Sequence, residues 1–348
     1  MKIVVRGTNW VGDAVMTIPA LRELRRVFPD SHIALHTRDW ARGIFEDADF
    51  IDEILTFEQG KSALKTVLEQ GKVLRGRKFD VAVLLPNSFE SALTANLGQI
   101  KTRIGYAKDG RSFLLTDALP IPEWKNQRHE VFYYLNIVAE IERKLRGATT
   151  VWEHEPRFEL DVCAERKTRA CKMLAESGVD LSKKIVVFVA GSTNSRAKRW
   201  QAESFAELND WIQARLNANV VLIGSKDELD VSIEVAAKSN IKPSILTGKT
   251  DLAEATAILS VCDLVISNDT GPAHIAAALG TKTLIIFGPT NPLTTRPFPA
   301  NAEIVYKTVE CSPCMLRDCP IDHRCMTRIR ADEVFIKAEN LLTADKRR

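Results

Sequence analysis

The chain has 348 residues, 45% of them hydrophobic and 27% charged, with a formal net charge of +3. That is more chain than one ordinary core encloses, and it suits two domains. The near-balanced charge, without a strongly basic domain or an arginine-rich run, argues against nucleic acid as a partner, and no apolar run is long enough to span a bilayer.

The start, MKIVVRGTNW, shows no apolar stretch followed by a small-residue cleavage site, so a cytoplasmic chain is expected. From there strand and helix patterns alternate. KIVVRG (2–7) reads as a buried strand and AVMTIPALRELRRVF (14–28) as an amphipathic helix. HIALHT (32–37), DEILTF (52–57) and DVAVLLP (80–86) read as strands, KSALKTVLEQGKVL (61–74) and FESALTANL (89–97) as helices. The pattern restarts at KKIVVFVAGSTN (183–194), which echoes the opening strand and its small polar loop. Helices follow at 203–216, 226–238, 251–261 and 272–279, with strands at 219–225, 244–248, 263–268 and 281–288. Such alternation predicts parallel sheets covered by helices on both faces. The expected organisation is α/β, with two Rossmann-like doubly wound domains at 1–165 and 183–348 and a linker within 150–183. Ligands of such folds sit beyond the carboxyl ends of the strands, so a cleft between the two domains is the expected site.

Four loops at strand ends carry candidate chemistry. RGTNWVGD places Gly12 and Asp13 at a helix start, where Asp13 is either a first-turn acid or a base for an attacking hydroxyl. GSTNSRAKRW (191–200) supplies Ser192, Thr193, Asn194, Lys198 and Arg199, hydroxyls and cations that suit a diphosphate. It matches neither the Walker nor the G-x-G-x-x-G pattern. GSKDE (224–228) offers Glu228 as a ribose acid or a solvated first-turn residue. In SNDTGPAH (267–274), Asp269 or Thr270 can cap a helix that begins near Pro272, Gly271 leaves room for a phosphate, and His274 lies one turn in. A capped helix with a buried histidine is the structural alternative.

The segment CSPCMLRDCPIDHRC gathers Cys311, Cys314, Cys319 and Cys325 near His323. Its density suits a structural zinc or iron–sulfur site, with reduced thiols or disulfides as alternatives, although its spacing is not a standard zinc-finger pattern. Cys163, Cys171 and Cys262 read as packed residues.

Together, WVGDAVMTIPAL, LLPNSFESAL, RIGY, AKRW and SNDTGPAHIAAALGTKTLIIFGPTNP resemble glycosyltransferase family 9, the lipopolysaccharide heptosyltransferases. The resemblance covers nearly the full chain. It implies a GT-B fold and an inverting transfer with no metal required for catalysis. The implied donor is ADP-heptose on the second domain. The implied acceptor is the lipopolysaccharide inner core, Kdo-lipid A bearing heptose. It also implies transient contact of a cytoplasmic, peripheral protein with the inner membrane. Asp13 matches the family's base and Lys198 the lysine near the donor phosphates. Ser192, Thr193, Asn194, Glu228, Asp269, Thr270, Gly271 and His274 become donor-binding candidates. Gly12, Asn87, Ser88, Lys101, Arg103 and Arg111 become acceptor-binding candidates, with Lys108, Arg128 and His129 extending a basic rim. The basic face of 61–78 is a candidate for anionic lipid, or simply an exposed helix. DAD at 47–49 imitates a metal-binding D-x-D but sits in the wrong domain for the donor, so it reads as a turn. The competing readings are another core heptosyltransferase, a nucleotide-sugar epimerase, and a non-enzymatic nucleotide- or metal-binding module.

Overall fold

The computed structural model describes residues 1–60 and 62–344. Lys61, at the expected start of one helix, and the carboxyl-terminal 345–348 of the second expected domain lie outside the described residues. The chain divides into two compact units, Met1–Phe158 and Glu159–Arg348.

The first unit runs β1 (Lys2–Arg6), α1 (Val11–Met16), α2 (Ile18–Val27), β2 (His32–Arg38), α3 (Arg42–Phe45), β3 (Glu53–Phe57), α4 (Ala63–Arg77), β4 (Val81–Leu84), α5 (Phe89–Leu97), β5 (Thr102–Tyr106), β6 (Asp117–Leu119) and α6 (Glu130–Arg146). Its six strands are parallel, in the order β3-β2-β1-β4-β5-β6. The helix expected over 14–28 is two helices. Thr17 separates them, turning its hydroxyl back to donate to the Ala14 carbonyl at 2.6 Å, and Pro19 opens the second. The turn reading of 47–49 agrees with the structure, where Asp49 pairs with Arg22 at 3.2 Å.

The second unit runs α7 (Ala164–Glu176), β7 (Ile185–Val189), α8 (Ala202–Leu216), β8 (Asn219–Leu222), α9 (Leu229–Lys238), β9 (Ser244–Ile245), α10 (Leu252–Val261), β10 (Leu264–Asn268), α11 (Gly271–Ala278), β11 (Lys282–Phe287), α12 (Pro292–Thr295), β12 (Ala302–Tyr306), α13 (Arg324–Thr327) and α14 (Ala331–Thr343). Its parallel strands follow the order β12-β11-β10-β7-β8-β9. β7 and β10 are buried along their whole length, as strands covered on both faces must be.

Residues 159–182, most of the expected linker, pack with the second unit. Leu160 donates its N–H to the Ala278 carbonyl at 2.8 Å, and Arg166 donates to the Ala253 carbonyl at 2.7 Å. Only Ala170 and Leu174 give α7 a buried apolar pair, too sparse a stripe to announce a helix in the sequence.

In each sheet the strand order reverses beside the first strand, between β1 and β4 in one unit and between β7 and β10 in the other. At such switch points the loops leaving adjacent strands diverge and open a crevice at the carboxyl edge.

Candidate functional site

The second unit's switch point is flanked by the loop after β7 and the turn after β10, two of the loops singled out in the sequence. Asn268, the last residue of β10, ties them together. Its side-chain oxygen accepts from the Trp200 N–H at 3.0 Å, and its amide donates to the Ala190 carbonyl at 2.7 Å. Trp200 is buried and donates its indole N–H to the Ile329 carbonyl at 2.9 Å, which anchors the far end of the loop.

On this frame Lys198 reaches across the switch point. Its Nζ lies 2.8 Å from Asp269 Oδ2 and also donates to the Asp269 carbonyl at 3.2 Å. Thr290, after β11, donates to the same carboxylate oxygen at 2.6 Å. The Asp269 side chain is only 4% exposed, while that of Lys198 is 26% exposed. An ammonium has three N–H donors, so Lys198 keeps one beyond these two contacts for a ligand.

Asp269 therefore does not cap α11. Thr270 holds the N-cap position without a side-chain cap bond, because its hydroxyl pairs with Ser267 Oγ at 3.0 Å. Pro272 stands in the first turn and His274 is buried. Ser192 is buried and its carbonyl accepts from Arg199 Nε at 3.2 Å, whereas Thr193 and Asn194 are exposed at the loop tip. Glu228 is buried in a capping box, accepting from the Ser225 N–H at 2.8 Å and the Ser225 hydroxyl at 2.9 Å. A Cβ on Gly191 would meet the Glu228 carboxyl carbon at 2.4 Å, so glycine there is what admits the acid beside the β7 loop.

At the first unit's switch point, Gly12 and Asp13 occupy the first turn of α1, just beyond β1. Asp13 is partly exposed, and its charge adds to burial in pushing the Tyr134 phenol well above its ordinary pKa. Across the switch point, Asn87 donates to the Tyr133 hydroxyl at 3.2 Å, and Ser88 caps α5 by accepting from the Ser91 N–H at 3.3 Å. Of the two roles open to Ser88, capping is the one its contacts display.

The expected basic rim is dispersed. Lys101 is exposed but precedes β5, at the amino edge of the sheet. Arg103 donates to the Leu114 carbonyl at 2.7 Å and to the Ile100 carbonyl. Arg111 is fully buried, donating to the Tyr106 carbonyl and Ser91 Oγ at 2.9 Å each and to the Pro86 carbonyl, and burial lowers its pKa to about 10. It braces the β4 and β5 loops from inside. Lys108 is exposed, Arg128 stacks on Phe132 at 4.0 Å, and His129 Nδ1 accepts from the Val131 N–H at the start of α6.

The cysteine-rich segment bonds directly to the loop after β7. The Arg317 carbonyl accepts from the Ala197 N–H at 2.9 Å and from Ser195 Oγ at 3.1 Å, while His323 Nε2 lies 2.6 Å from the Ala197 carbonyl. The segment thus straps the turn that carries Lys198. All seven cysteines are free thiols. Burial first, and then the charges of Cys311, Cys314 and Cys319, push the Cys325 thiol up to about 11. Among the described residues, no three His, Cys, Asp or Glu side chains are grouped so as to hold a metal ion.

Sequence reasoning missed Thr290, which holds Asp269, and the strap itself. A threonine three residues beyond the end of a buried strand gives no signal of this role, and a strap made of a backbone carbonyl and an imidazole gives none either.

Comparison with known proteins bears on both edges. The family model for glycosyltransferase family 9 (heptosyltransferase) matches residues 67–324, a span that contains the loops after β7, β8 and β10 but not Asp13. The chain is 27% identical over 348 residues to lipooligosaccharide heptosyltransferase 2 of Campylobacter jejuni, covering 98% of each chain. It is 28% identical over 315 residues to lipopolysaccharide heptosyltransferase 2 of Escherichia coli, covering 88% of each. Among solved structures, that of E. coli ADP-heptose lps heptosyltransferase II is similar with a TM-score of 0.84 and 25% identity, over 99% of this chain and 100% of that one.

Proposed function

We infer the reaction from one premise: the chain belongs to glycosyltransferase family 9 and is a glycosyltransferase enzyme. The reading is that it moves L-glycero-D-manno-heptose from ADP-heptose to a lipopolysaccharide inner core that already bears one heptose. The second unit binds the donor and the first unit the acceptor. The acceptor hydroxyl oxygen bonds to the anomeric carbon from the face opposite the leaving group. The bond from that carbon to the diphosphate oxygen breaks, and its electron pair leaves with ADP. The hydroxyl proton passes to the Asp13 carboxylate, which acts as general base.

The observation that carries this reading is the convergence of Lys198, Asp269 and Thr290 at the second unit's switch point. Negative charge grows on the departing diphosphate, and a preset ammonium offsets it without reorganising. Thr270 and the N–H groups near Gly271 stand on the same turn. With these groups neutralising the leaving group, the reading needs no metal for the chemical step.

The proposal also includes peripheral contact with the inner-membrane surface. Among the described residues no helix is long and apolar enough to cross a membrane. What supports surface contact is α4, which exposes Leu64, Leu68 and Val73 at 65%, 51% and 51% beside Lys65, Lys72 and Arg75. Co-sedimentation with anionic but not neutral vesicles is the expected outcome, and equal binding to both would remove this part.

Product analysis tests the whole. Purified chain, ADP-heptose and core acceptors bearing zero, one or two heptoses are incubated with excess EDTA. Heptose addition to the one-heptose acceptor, with inverted anomeric configuration and release of one ADP, is expected. Addition only to the heptose-free acceptor would assign the first transfer instead. No addition to any acceptor would refute the reading.

A further inference from the structure

The carboxyl edge of the first sheet holds a cluster that the transfer reaction above does not use. Arg6 ends β1, His36 and Arg38 lie at the end of β2, and Phe57 ends β3. The strand register pairs Arg6 with His36 and Arg38 with Phe57. Side chains alternate along a strand, so all four share one face. It is the face on which Val4, Ala34 and Leu55 join the core, with residues of α4 and α5. The distances agree. The guanidinium of Arg6 lies 4.4 Å, and that of Arg38 5.5 Å, from the centroid of the Phe57 ring, with the His36 ring at 4.8 Å.

This cluster is cationic and short of partners. Arg6, only 5% exposed, spends Nη1 on the carbonyls of Gly7 and His36 at 2.9 and 3.4 Å, and its Nε is buried with no partner. Arg38 gives Nη2 to Gln59, and its Nε is buried without a partner as well. His36 Nδ1 and the Thr8 hydroxyl, both on side chains at least nine-tenths buried, are in the same condition. Among the described residues no carboxylate pairs with either arginine, and Glu90 acts on Arg6 only through longer-range attraction. Burial, and to a lesser extent the charge of Arg38, lower the Arg6 pKa to about 10, while burial and then Arg6 hold His36 neutral with a pKa of about 3. Neighbouring like charges and unmet donors in a buried site are costly unless something of opposite charge completes them. Guanidinium groups suit a carboxylate or a phosphate oxygen above other ligands.

We propose that Arg6 and Arg38, with His36 beside them, form a binding site for an anionic group, carboxylate or phosphate, carried by the acceptor saccharide. This rests on the reading that the first unit binds the acceptor. The loop from β1 to Asp13 begins at Arg6, so an anion held here positions the acceptor relative to that residue.

The test has two arms. In the first, ADP is kept saturating to occupy the donor site, and the melting temperature is followed while inorganic phosphate, or separately acetate, is added. Stabilisation of the wild type, lost in Arg38→Gln and in Arg6→Gln but retained in Lys198→Met, is expected. Arg38 is only partly buried, so Arg38→Gln keeps the test sound if Arg6→Gln folds poorly. No stabilisation of the wild type, or an unchanged response in Arg38→Gln, overturns the site. In the second arm, Arg38→Gln raises KM for the heptose-bearing acceptor about tenfold, with kcat changed less than about twofold. Loss of that KM effect with dephosphorylated acceptor assigns phosphate, and its persistence assigns carboxylate. An unchanged KM overturns the acceptor role. Absence of transfer by the wild type would instead refute the reaction proposed above, and the first arm would still decide the anion site.

Discussion

At the switch point of the second sheet, Lys198, Asp269 and Thr290 satisfy one another within 2.8 Å. At the carboxyl edge of the first sheet, Arg6 and Arg38 face a single phenylalanine ring, and among the described residues no carboxylate is paired to either. The same fold thus carries one edge whose charges are internally closed and one whose charges are left open. On the proposed reading the closed edge is preorganised: its ammonium is already aimed, and a leaving diphosphate needs only the donor it has kept. An open edge, on the proposal above, is completed by a ligand of opposite charge, which suits it to recognition. With the closed edge serving the donor and the open edge the acceptor, as proposed, the two roles are separable by mutation, and each prediction below presses on that separation.

The largest effect belongs to Asp13→Asn, which lowers turnover by about 10²–10⁴ while leaving the ADP-induced rise in melting temperature in place. Lys198→Met comes next. It removes charge stabilisation from the leaving group, costing about 10²–10³ in kcat, and leaves the Asp269 carboxylate buried without its cation, so the melting temperature falls too. If Lys198→Met weakened acceptor binding alone, the closed edge would not be the donor edge. Gly191→Ala strikes the second unit without touching charge. Its Cβ meets the Glu228 carboxyl carbon at 2.4 Å, and overpacking costs about 1–3 kcal/mol in stability with weakened ADP binding. Unchanged stability in a denaturant titration would mean that Glu228 is not held where the structure puts it. Ser88→Ala is smaller, about 1 kcal/mol, because it removes one side-chain cap from α5. A loss of acceptor binding beyond that stability change would show that Ser88 also contacts ligand.

Much of this was legible in the sequence. The alternation of buried strands with amphipathic helices gave the parallel sheets, and loops after β1, β7, β8 and β10 stood out because small polar residues interrupt apolar runs there. The failures have specific causes. RIGY served only the family resemblance, and the strand that holds it, β5, was not assigned because its residues are too mixed in character to read as a buried run. Arg103 and Arg111 looked like surface cations, yet their donors go to backbone carbonyls, a use that leaves no trace in composition. Arg6 and His36 were passed over for the opposite reason. Each sits inside a run that reads as an ordinary strand, and only the register brings them to one face. The cysteine density drew attention to metal chemistry, while the clearest contacts of that segment are its carbonyl and imidazole bonds to residues 195 and 197.

One variant can separate the two edges in a single sample. Asp13→Asn is loaded with ADP-heptose and mixed with the one-heptose acceptor under single-turnover conditions, with ADP-heptose affinity measured in parallel. The account predicts wild-type donor affinity with a transfer rate reduced by about two orders of magnitude or more. Transfer at close to the wild-type rate, with donor bound as usual, would contradict it.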